Sequence, residues 1–416
     1  MANKMKPLTL STFRIPASVA LMAIWIFSAW ATPAMAEDGA QPDRIFFIMM
    51  ENHATNQIIG NTADAPFINQ LAHRYAVATN YHGVTHPSLP NYLSAISGDF
   101  QGIFDDCKAA SPGSPVTCAP EEFVPGAGDA TDPTSSVYTS PSSPLFGKHP
   151  PQLTAAQITA ASSINHWFSG HTIVDQLETK GMTWKAYMQS LPFTGAHVEF
   201  WPTLTDTTTT PPTVTFYKQY AEKHDPFMYF SNIRNSPARL ANIVPLPQLD
   251  YDLATNNAPN FVWISPDQCN DMHGVGNGSP LGYPTCSYPA SGLDHGAIQL
   301  GDAFLQQTVT TIMNSRAWTK NSIIIIAWDE DDYGGYPSGC CGSPTTTNTG
   351  SFGNVLGGAV TPAIVIRSSE PAHRESSRPY NHYSLLGTIQ HLWNLPCLAN
   401  TCSISDSDLM LDLFGN

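Results

Sequence analysis

The hydrophobic residues of this chain gather in short unbroken runs, and polar or Gly/Pro-rich segments separate them. Runs without polar alternation are typical of strands that are buried on both faces of a sheet. They predict strands over residues 44–50, 183–188, 227–230, 261–265, 322–328 and 363–367. The run at 322–328, which reads Ser-Ile-Ile-Ile-Ile-Ala-Trp, is the strongest of them.

Between several of these runs, apolar residues recur at helical spacing. This pattern predicts helices over 66–76, 172–180, 294–314 and 384–393. Strands that alternate with helices favour an α/β fold, in which helices cover both faces of a central, mostly parallel sheet. The Thr- and Pro-rich segment 205–215 is predicted to be a loop. Residues from about 105 to 151 are rich in Pro, Ser, Gly and Asp, and they predict a long insertion that forms a lid or rim.

Residues 1–36 have the pattern of a secretory signal peptide. Basic residues precede an apolar run, and Ala-Met-Ala at 34–36 is a small-x-small cleavage site. A retained N-terminal anchor is the alternative, although the apolar run is short for a membrane span. We therefore expect an exported protein, periplasmic or secreted, in which residues 37–416 form a single domain without a stable membrane anchor.

The net charge of −15, with only 18 Lys and Arg residues, limits the partners of this chain. Binding to a nucleic acid or to an anionic membrane surface needs a basic patch, so neither is expected as a partner. No protein partner is indicated by the sequence. The acidic charge also argues against polyanionic substrates, because repulsion would slow their approach.

The eight cysteines lie as close neighbours, which in an exported protein predicts local disulfides. The predicted pairs are Cys107–Cys118, Cys269–Cys286 and Cys397–Cys402. The adjacent Cys340 and Cys341 leave a vicinal bridge open. A zinc site is the weaker alternative, because no pair has CxxC spacing.

The stretch 84–93, Val-Thr-His-Pro-Ser-Leu-Pro-Asn-Tyr-Leu, predicts a helix with Ser88 at its N-terminus and Gly98 at its end. A helix N-terminus directs backbone N–H groups and a positive dipole end toward whatever is bound at Ser88. That environment favours a phosphate or a developing alkoxide, so Ser88 is a candidate nucleophile. The alternative is a serine that only caps the helix.

Polar clusters follow three of the predicted strands. They are Glu51-Asn52, the segment 267–273, and Asp329-Glu330. Parallel sheets bind ligands outside the carboxyl ends of their strands, so these clusters are expected at one rim. Their oxygen atoms suit one divalent cation such as Ca²⁺, Mg²⁺ or Mn²⁺, which would also offset the repulsion between the carboxylates. Solvated acids at loop starts are the alternative. A bound metal would lower the pKa of the Ser88 hydroxyl.

Three histidines are candidates to bind phosphate oxygens or to protonate a leaving alkoxide. They are His86, His273 and His382. His273 follows Asp271 in Cys-Asn-Asp-Met-His-Gly, and His382 lies just before a predicted helix. Structural roles are expected for His53, His73, His197 and His391.

With these residues, the chain resembles the phosphoesterase family of bacterial phospholipases C and secreted acid phosphatases, which belongs to the alkaline-phosphatase-like superfamily. The resemblance rests on five motifs in the family's order. They are Met50-Glu-Asn-His53, His86-Pro-Ser-Leu-Pro-Asn-Tyr92, Asn270-Asp-Met-His273, Trp328-Asp-Glu-Asp-Asp-Tyr-Gly-Gly335 and Asn381-His382. The resemblance implies an alkaline-phosphatase-like fold, with a mostly parallel sheet sandwiched by helices.

The resemblance also implies roles for individual residues. The metal positions are Glu51, Asn52, Ser88, Asp329 and Glu330. The catalytic positions are Ser88, His273 and His382, and the substrate-binding positions are His86, Asn91 and Asp271. The implied reaction has two steps. Ser88 attacks phosphorus and expels the alcohol, and water then hydrolyses the phosphoserine.

Within the family we favour an acid phosphatase that acts on small phosphomonoesters. The form of the Ser88 and Asp329 motifs is closer to the acid phosphatases, and no β-rich module follows the His382 helix. Phospholipase C activity is the alternative. A sulfatase is disfavoured because its activating pattern has Arg at the position of Tyr92. A non-catalytic binding protein is disfavoured because the nucleophile and the acids are present.

Overall fold

The computed structural model describes residues 41–275, 295–332, 337–369 and 372–415. Its strands are β1 Arg44–Met50, β2 Ala76–His82, β3 Trp184–Met188, β4 Phe200–Asp206, β5 Thr213–Ala221, β6 Ile243–Pro245, β7 Phe261–Ser265, β8 Ser322–Trp328, β9 Thr345–Gly350, β10 Gly353–Val355, β11 Val360–Arg367, β12 Arg374–Ser376 and β13 Tyr380–Asn381.

The α-helices are α1 Thr55–Ile58, α2 Pro66–Arg74, α3 Ser88–Ser97, α4 Ser136–Thr139, α5 Ala155–Ala161, α6 Ile173–Thr179, α7 Ser231–Arg234, α8 Pro237–Leu240, α9 Pro247–Ala254, α10 His295–Asn314 and α11 His382–Leu392. Short 3-10 helices lie at Glu222–His224, Pro226–Tyr229, Ala399–Cys402, Asp406–Asp408 and Leu411–Phe414. Among the described residues, no helix is long and apolar enough to cross a membrane.

One large sheet forms the centre of the structure, in the order β12-β2-β11-β8-β1-β7-β3-β6, with β13 also beside β2. The strands β8, β1, β7, β3 and β6 are parallel to one another. Strand β11 runs antiparallel to both β2 and β8. The predicted α/β fold with a mostly parallel central sheet is therefore confirmed.

Alternating side chains of the central strands fill two separate hydrophobic layers, because successive residues of a strand point to opposite faces. Phe47 of β1 belongs to the layer shared with α3, α6 and α11. Its neighbour Ile48 belongs to the layer shared with α2, α9 and α10. Both side chains are almost completely buried. Helices thus cover both faces, which explains why these strands are apolar without interruption.

Three parts of the predicted secondary structure are wrong. The run at 227–230 lies in the 3-10 helix Pro226–Tyr229, because a short buried apolar run does not by itself distinguish a strand from a helical turn. The predicted loop 205–215 overlaps the antiparallel hairpin of β4 and β5, in which β-branched Thr suits strands. The helix predicted over 66–76 ends at Arg74, and β2, whose centre is polar, follows it.

Two predicted disulfides are formed in the described residues, and so is the vicinal bridge that the sequence left open. They are Cys107–Cys118, Cys397–Cys402 and the vicinal pair Cys340–Cys341. In the predicted pair Cys269–Cys286, Cys286 lies outside the described residues. The predicted signal peptide at 1–36 also lies outside them.

Candidate active site

Ser88 is the first residue of α3, directly after the loop that leaves β2. Pro87 occupies the N-cap position, so Ser88 begins the helix as predicted and is not its cap. The helix ends at Gly98, whose φ of 72° lies in the left-handed region that favours glycine. The loop before Ser88 packs tightly, since a Cβ on Gly83 would lie 2.6 Å from the carbonyl oxygen of Asp329.

The three polar clusters predicted from the strand ends meet at the carboxyl ends of β8, β1 and β7, which are neighbours in the sheet. The backbone N–H of Glu51 donates to the carbonyl oxygen of Asp271 across 2.8 Å. The N–H of Asn52 donates to Asp329 Oδ1 across 3.1 Å. Asn52 has a φ of 45°, a left-handed conformation that asparagine tolerates well. These bonds hold the clusters together across the strand ends.

The Ser88 hydroxyl lies among side-chain oxygen atoms of the residues that follow β1 and β8. Ser88 Oγ lies 2.9 Å from Glu51 Oε2, 3.4 Å from Asn52 Oδ1 and 3.4 Å from Glu330 Oε1. A hydroxyl has one proton, so it can donate to only one of these acceptors. Asp329 Oδ2 is buried and has no hydrogen-bond partner among the described residues. This surplus of buried acceptor oxygens fits a bound cation.

The carboxyl groups around Ser88 are costly to ionise together. Burial and then the Asp329 charge raise the pKa of Glu51 well above its usual range. Burial raises the pKa of Asp329 to about 6, and burial and the Asp329 charge raise that of Glu330 to about 8. A divalent cation would favour the ionised form of all three groups. The predicted oxygen ligands could therefore hold a metal ion at this place.

His224 was not predicted as a site residue, and the 3-10 helix Glu222–His224 places it against Glu51. Its Nε2 lies 3.2 Å from Glu51 Oε1 and its Nδ1 lies 3.2 Å from Asp271 Oδ2. The ring stacks on Tyr92, with 5.1 Å between the ring centroids. Glu51, His224 and His273 offer ligand atoms that all lie within 4.8 Å of one another. A metal could thus also be held by a mixed nitrogen and oxygen set.

Lys223, the residue before His224, is a second site residue that was not predicted. Its Nζ lies 2.6 Å from Asp106 Oδ2, 3.2 Å from His273 Nε2 and 3.5 Å from Ser88 Oγ. Charged residues at 222–225 directly after an extended run were the available signal. Because residues 205–215 were predicted to be a loop, no strand was expected to end just before these charged residues.

His273 lies in the site as predicted from the strand-end pattern. Its Nδ1 donates to the carbonyl oxygen of Gly274 across 2.7 Å, so its Nε2 is the unprotonated nitrogen that accepts from Lys223. Burial and the Lys223 charge lower the pKa of His273 well below its usual value. The ring is therefore neutral, and its Nε2 holds the Lys223 ammonium near Ser88.

His86 and Asn91 both contact Glu330. His86 Nδ1 lies 2.9 Å and Asn91 Nδ2 3.1 Å from Glu330 Oε2. Burial lowers the pKa of His86, but the charges of Glu330 and Asp331 outweigh burial and raise that pKa well above its usual value. Asn91 Oδ1 also accepts from the backbone N–H of Val84 across 2.7 Å. Asn91 thus connects the loop before Ser88 to Glu330.

His382 lies behind the site. The Tyr81 hydroxyl donates to its Nδ1 across 2.8 Å, and its Nε2 donates to the carbonyl oxygen of Asp329 across 2.7 Å. Burial lowers the pKa of His382 to about 4, so the ring is neutral. The contacts of both ring nitrogens are therefore directed toward the backbone of Asp329 and toward Tyr81.

Comparison with known proteins identifies the family. The Phosphoesterase family matches residues 61–280 and 284–396, so the chain belongs to this family, and the resemblance of the motifs is confirmed. The chain is 21% identical to a probable acid phosphatase of Kluyveromyces lactis over 87% of this chain and 60% of that protein. It is 21% identical to an acid phosphatase of Aspergillus fumigatus over 88% of this chain and 58% of that protein.

A third relative matches over nearly its whole length. A phosphatidylinositol-3-phosphatase of Mycobacterium tuberculosis is 24% identical over 99% of this chain and 97% of that protein. A solved protein of the alkaline phosphatase superfamily from Vibrio parahaemolyticus has a TM-score of 0.43 and 11% identity, over 85% of this chain and 67% of that chain. The match to the two acid phosphatases named above spans only about 60% of their length.

Proposed function

We propose that this protein hydrolyses phosphomonoesters through a phosphoserine intermediate on Ser88. The observation that carries the proposal is the position of the Ser88 hydroxyl, at the N-terminus of α3 and 2.9 Å from Glu51 Oε2. Membership of the Phosphoesterase family and the acid phosphatase relatives support this reaction. A helix N-terminus also favours the negative charge of a phosphate.

In the first step, the bond from Ser88 Oγ to phosphorus forms as the phosphorus–alcohol bond breaks. The hydroxyl proton of Ser88 passes to Glu51, whose Oε2 is the nearest acceptor, and from there to the departing alkoxide, so the alcohol leaves neutral. In the second step, water adds to phosphorus as the bond to Ser88 Oγ breaks. One proton of this water passes by way of Glu51 to Ser88 Oγ, in the reverse of the first transfer, while His273 Nε2 accepts from Lys223 and orients that cation.

A divalent ion, Ca²⁺, Mg²⁺ or Mn²⁺, fits the oxygen-rich side of the site. The residues that would hold it are Glu51, Asn52, Ser88, Asp329 and Glu330, with Asp271 and His224 behind Glu51. When bound, such an ion lowers the pKa of the serine hydroxyl and stabilises negative charge on phosphate oxygens. The surplus of buried acceptor oxygens around Ser88 supports this proposal.

Three of the predicted site residues would act through their neighbours. Asn91 and His86 orient Glu330, and His382 holds the backbone of Asp329. We assign them positioning roles, because these contacts fix Glu330 and the backbone of Asp329. Positioning of this kind is worth much to an enzyme, since a small displacement of a reacting group lowers the rate steeply.

A second candidate substrate is a phosphoinositide lipid, which also carries a phosphomonoester. The match to the phosphatidylinositol-3-phosphatase over nearly the full length of both chains favours it. Phospholipase C activity, which cleaves a phosphodiester, remains the alternative within the family. Comparison of p-nitrophenyl phosphate, a phosphatidylinositol 3-phosphate vesicle and a phosphatidylcholine vesicle as substrates separates the three activities.

We also propose that the protein is exported after removal of residues 1–36 and that residues 37–416 act as one domain. The local disulfides of the described residues suit an oxidising compartment. The mass of the mature protein tests the cleavage site. A mass that includes residues 1–36 would contradict the proposed export signal.

The central test is hydrolysis of p-nitrophenyl phosphate by the purified protein, with and without a chelator. Ser88→Ala is expected to lose turnover, because the covalent route needs the hydroxyl. Ser94→Ala is the matched control, since it removes a buried hydroxyl of the same helix that donates to the carbonyl oxygen of Pro90. Near-wild-type turnover in Ser88→Ala would refute the nucleophile.

A further inference from the structure

Lys223 is the described residue that brings a cation to the nucleophile. Its Nζ lies 3.5 Å from Ser88 Oγ, and its side chain is only 12% exposed. It also forms an ion pair with Asp106, whose Oδ2 lies 2.6 Å away. Lys223 follows β5, whereas Asp106 lies in the irregular segment after α3. Two distant parts of the chain therefore meet beside Ser88.

The Asp106 carboxylate accepts a second hydrogen bond in the same place. Its Oδ1 accepts from the backbone N–H of Leu89 across 2.9 Å. Leu89 is the second residue of α3, directly after the nucleophile. The Asp106 carboxylate thus accepts hydrogen bonds from an ammonium and from a backbone N–H that both lie next to Ser88. Both kinds of donor bind phosphate oxygens in proteins.

We infer that Lys223 and the Leu89 amide bind nonbridging oxygens of the substrate phosphate, and that Asp106 occupies these donors until substrate displaces it. This inference rests on the proposed function, because it takes Ser88 as the residue that attacks phosphorus. Displacement does not leave the ammonium without a partner, since His273 Nε2 accepts from Lys223 across 3.2 Å. The exchange therefore replaces one anion by another at a fixed cation.

The charge of Lys223 selects for the class of ester. A phosphomonoester carries about 1.5 to 2 negative charges near neutral pH, because its second pKa is about 6. A phosphodiester carries one charge and has fewer nonbridging oxygens. An ammonium at the nucleophile, near the carboxylates of Glu51 and Glu330, therefore offsets more repulsion for the monoester than for the diester. Lys223 thus favours phosphomonoesters.

The test compares Lys223→Met and Asp106→Asn with a matched pair elsewhere in the fold. Lys185 and Asp252 form a second ion pair with the same 2.6 Å distance, so Lys185→Met and Asp252→Asn are the controls. Each variant is assayed with p-nitrophenyl phosphate and with bis(p-nitrophenyl) phosphate. Binding of inorganic phosphate is measured by calorimetry in a Ser88→Ala background, which needs no turnover.

We expect Lys223→Met to weaken phosphate binding and to lower kcat/KM for the monoester about 10- to 150-fold, and to lower it less for the diester. Asp106→Asn is expected to tighten phosphate binding about fivefold, because a neutral amide competes less well for the two donors. The tightening should shrink when Lys223 is also replaced, since the two residues share one interaction. The control variants should leave phosphate binding unchanged.

Unchanged phosphate binding in Lys223→Met, or equal losses for both esters, would overturn the inference. Weaker phosphate binding in Asp106→Asn would mean that Asp106 only positions Lys223, and would overturn the exchange. If Lys223→Met does not fold, the double variant Lys223→Gln/Asp106→Asn removes both charges together, and it must still bind phosphate less tightly than Asp106→Asn. If the unmodified protein hydrolyses neither ester, the proposed function fails, and calorimetry with phosphate alone decides this inference.

Discussion

Replacement of Asn91 by Ala tests whether this residue binds substrate or supports the loop before the nucleophile. Asn91 Oδ1 accepts from the backbone N–H groups of Val84 and Thr85, across 2.7 and 3.2 Å. Its Nδ2 donates to the carbonyl oxygens of Thr85 and Pro87, across 2.7 and 3.1 Å, and to Glu330. The side chain is completely buried. These contacts predict that the loss of the amide damages the loop first.

The expected loss of stability follows from the groups left without partners. Two buried backbone N–H groups, those of Val84 and Thr85, lose their acceptor, and each buried unpaired group costs about 1–3 kcal/mol. The free energy of unfolding should therefore fall by about 2–6 kcal/mol. Entry of water into the space left by the amide would place the result at the lower end. Turnover should fall more than substrate affinity, because Glu330 and Ser88 lose their alignment.

The assay combines urea unfolding with the kinetics of the folded fraction. Asn69→Ala is the matched control, because Asn69 is also buried and its amide accepts from Gly60 N and donates to carbonyl oxygens such as that of Ile58. Both variants should lose stability, but only Asn91→Ala should lose kcat. Unchanged stability and a raised KM in Asn91→Ala would refute the proposal that Asn91 supports the loop. That result would favour the substrate-binding role predicted from the sequence.

Three further predictions concern the metal, the packing of the site and the dependence of stability on pH. Asp329→Asn should lower the metal content, measured by mass spectrometry of the purified protein, because it removes a buried charged ligand. Gly83→Ala should lower activity and stability, because its Cβ would lie 2.6 Å from the carbonyl oxygen of Asp329, whereas Gly170→Ala, whose Cβ meets its nearest atom at 4.0 Å, should do neither. Burial lowers the pKa of His166, but the Asp105 carboxylate 2.7 Å away outweighs burial and raises it, so this ion pair stabilises the fold below about pH 6.5 and the contribution is lost as pH rises through the raised pKa. Urea unfolding across pH should show that His166→Gln loses this dependence; an unchanged pH profile would contradict the ion pair.

The site could be predicted where polar residues come directly after a long apolar strand. Glu51, Asn52, Asp329 and Glu330 come directly after long buried runs, and such runs in an α/β fold end at a common rim. The motif around Ser88 adds a helix start, which the structure contains within one residue. These local patterns suffice because burial on both faces leaves an unbroken apolar run that is easy to detect.

The other half of the site could not be predicted in this way. Lys223 and His224 follow β5, a strand rich in polar residues that belongs to a separate hairpin rather than to the central sheet. Asp106 lies in a segment without a periodic pattern. A half-exposed hairpin and an irregular loop have weak signals, because neither needs continuous apolar residues.

The sequence by itself determined the α/β class, the strong central strands and the oxygen-rich residues that follow them, because hydrophobic periodicity is a local consequence of burial. Only the tertiary structure decided the order of the strands, and with it which side chains meet at Ser88. It brought His224 between Glu51 and Asp271, and it turned His382 toward the backbone of Asp329. Such contacts depend on long-range packing and on the direction of each side chain, and neither is encoded in the spacing of residues along the chain.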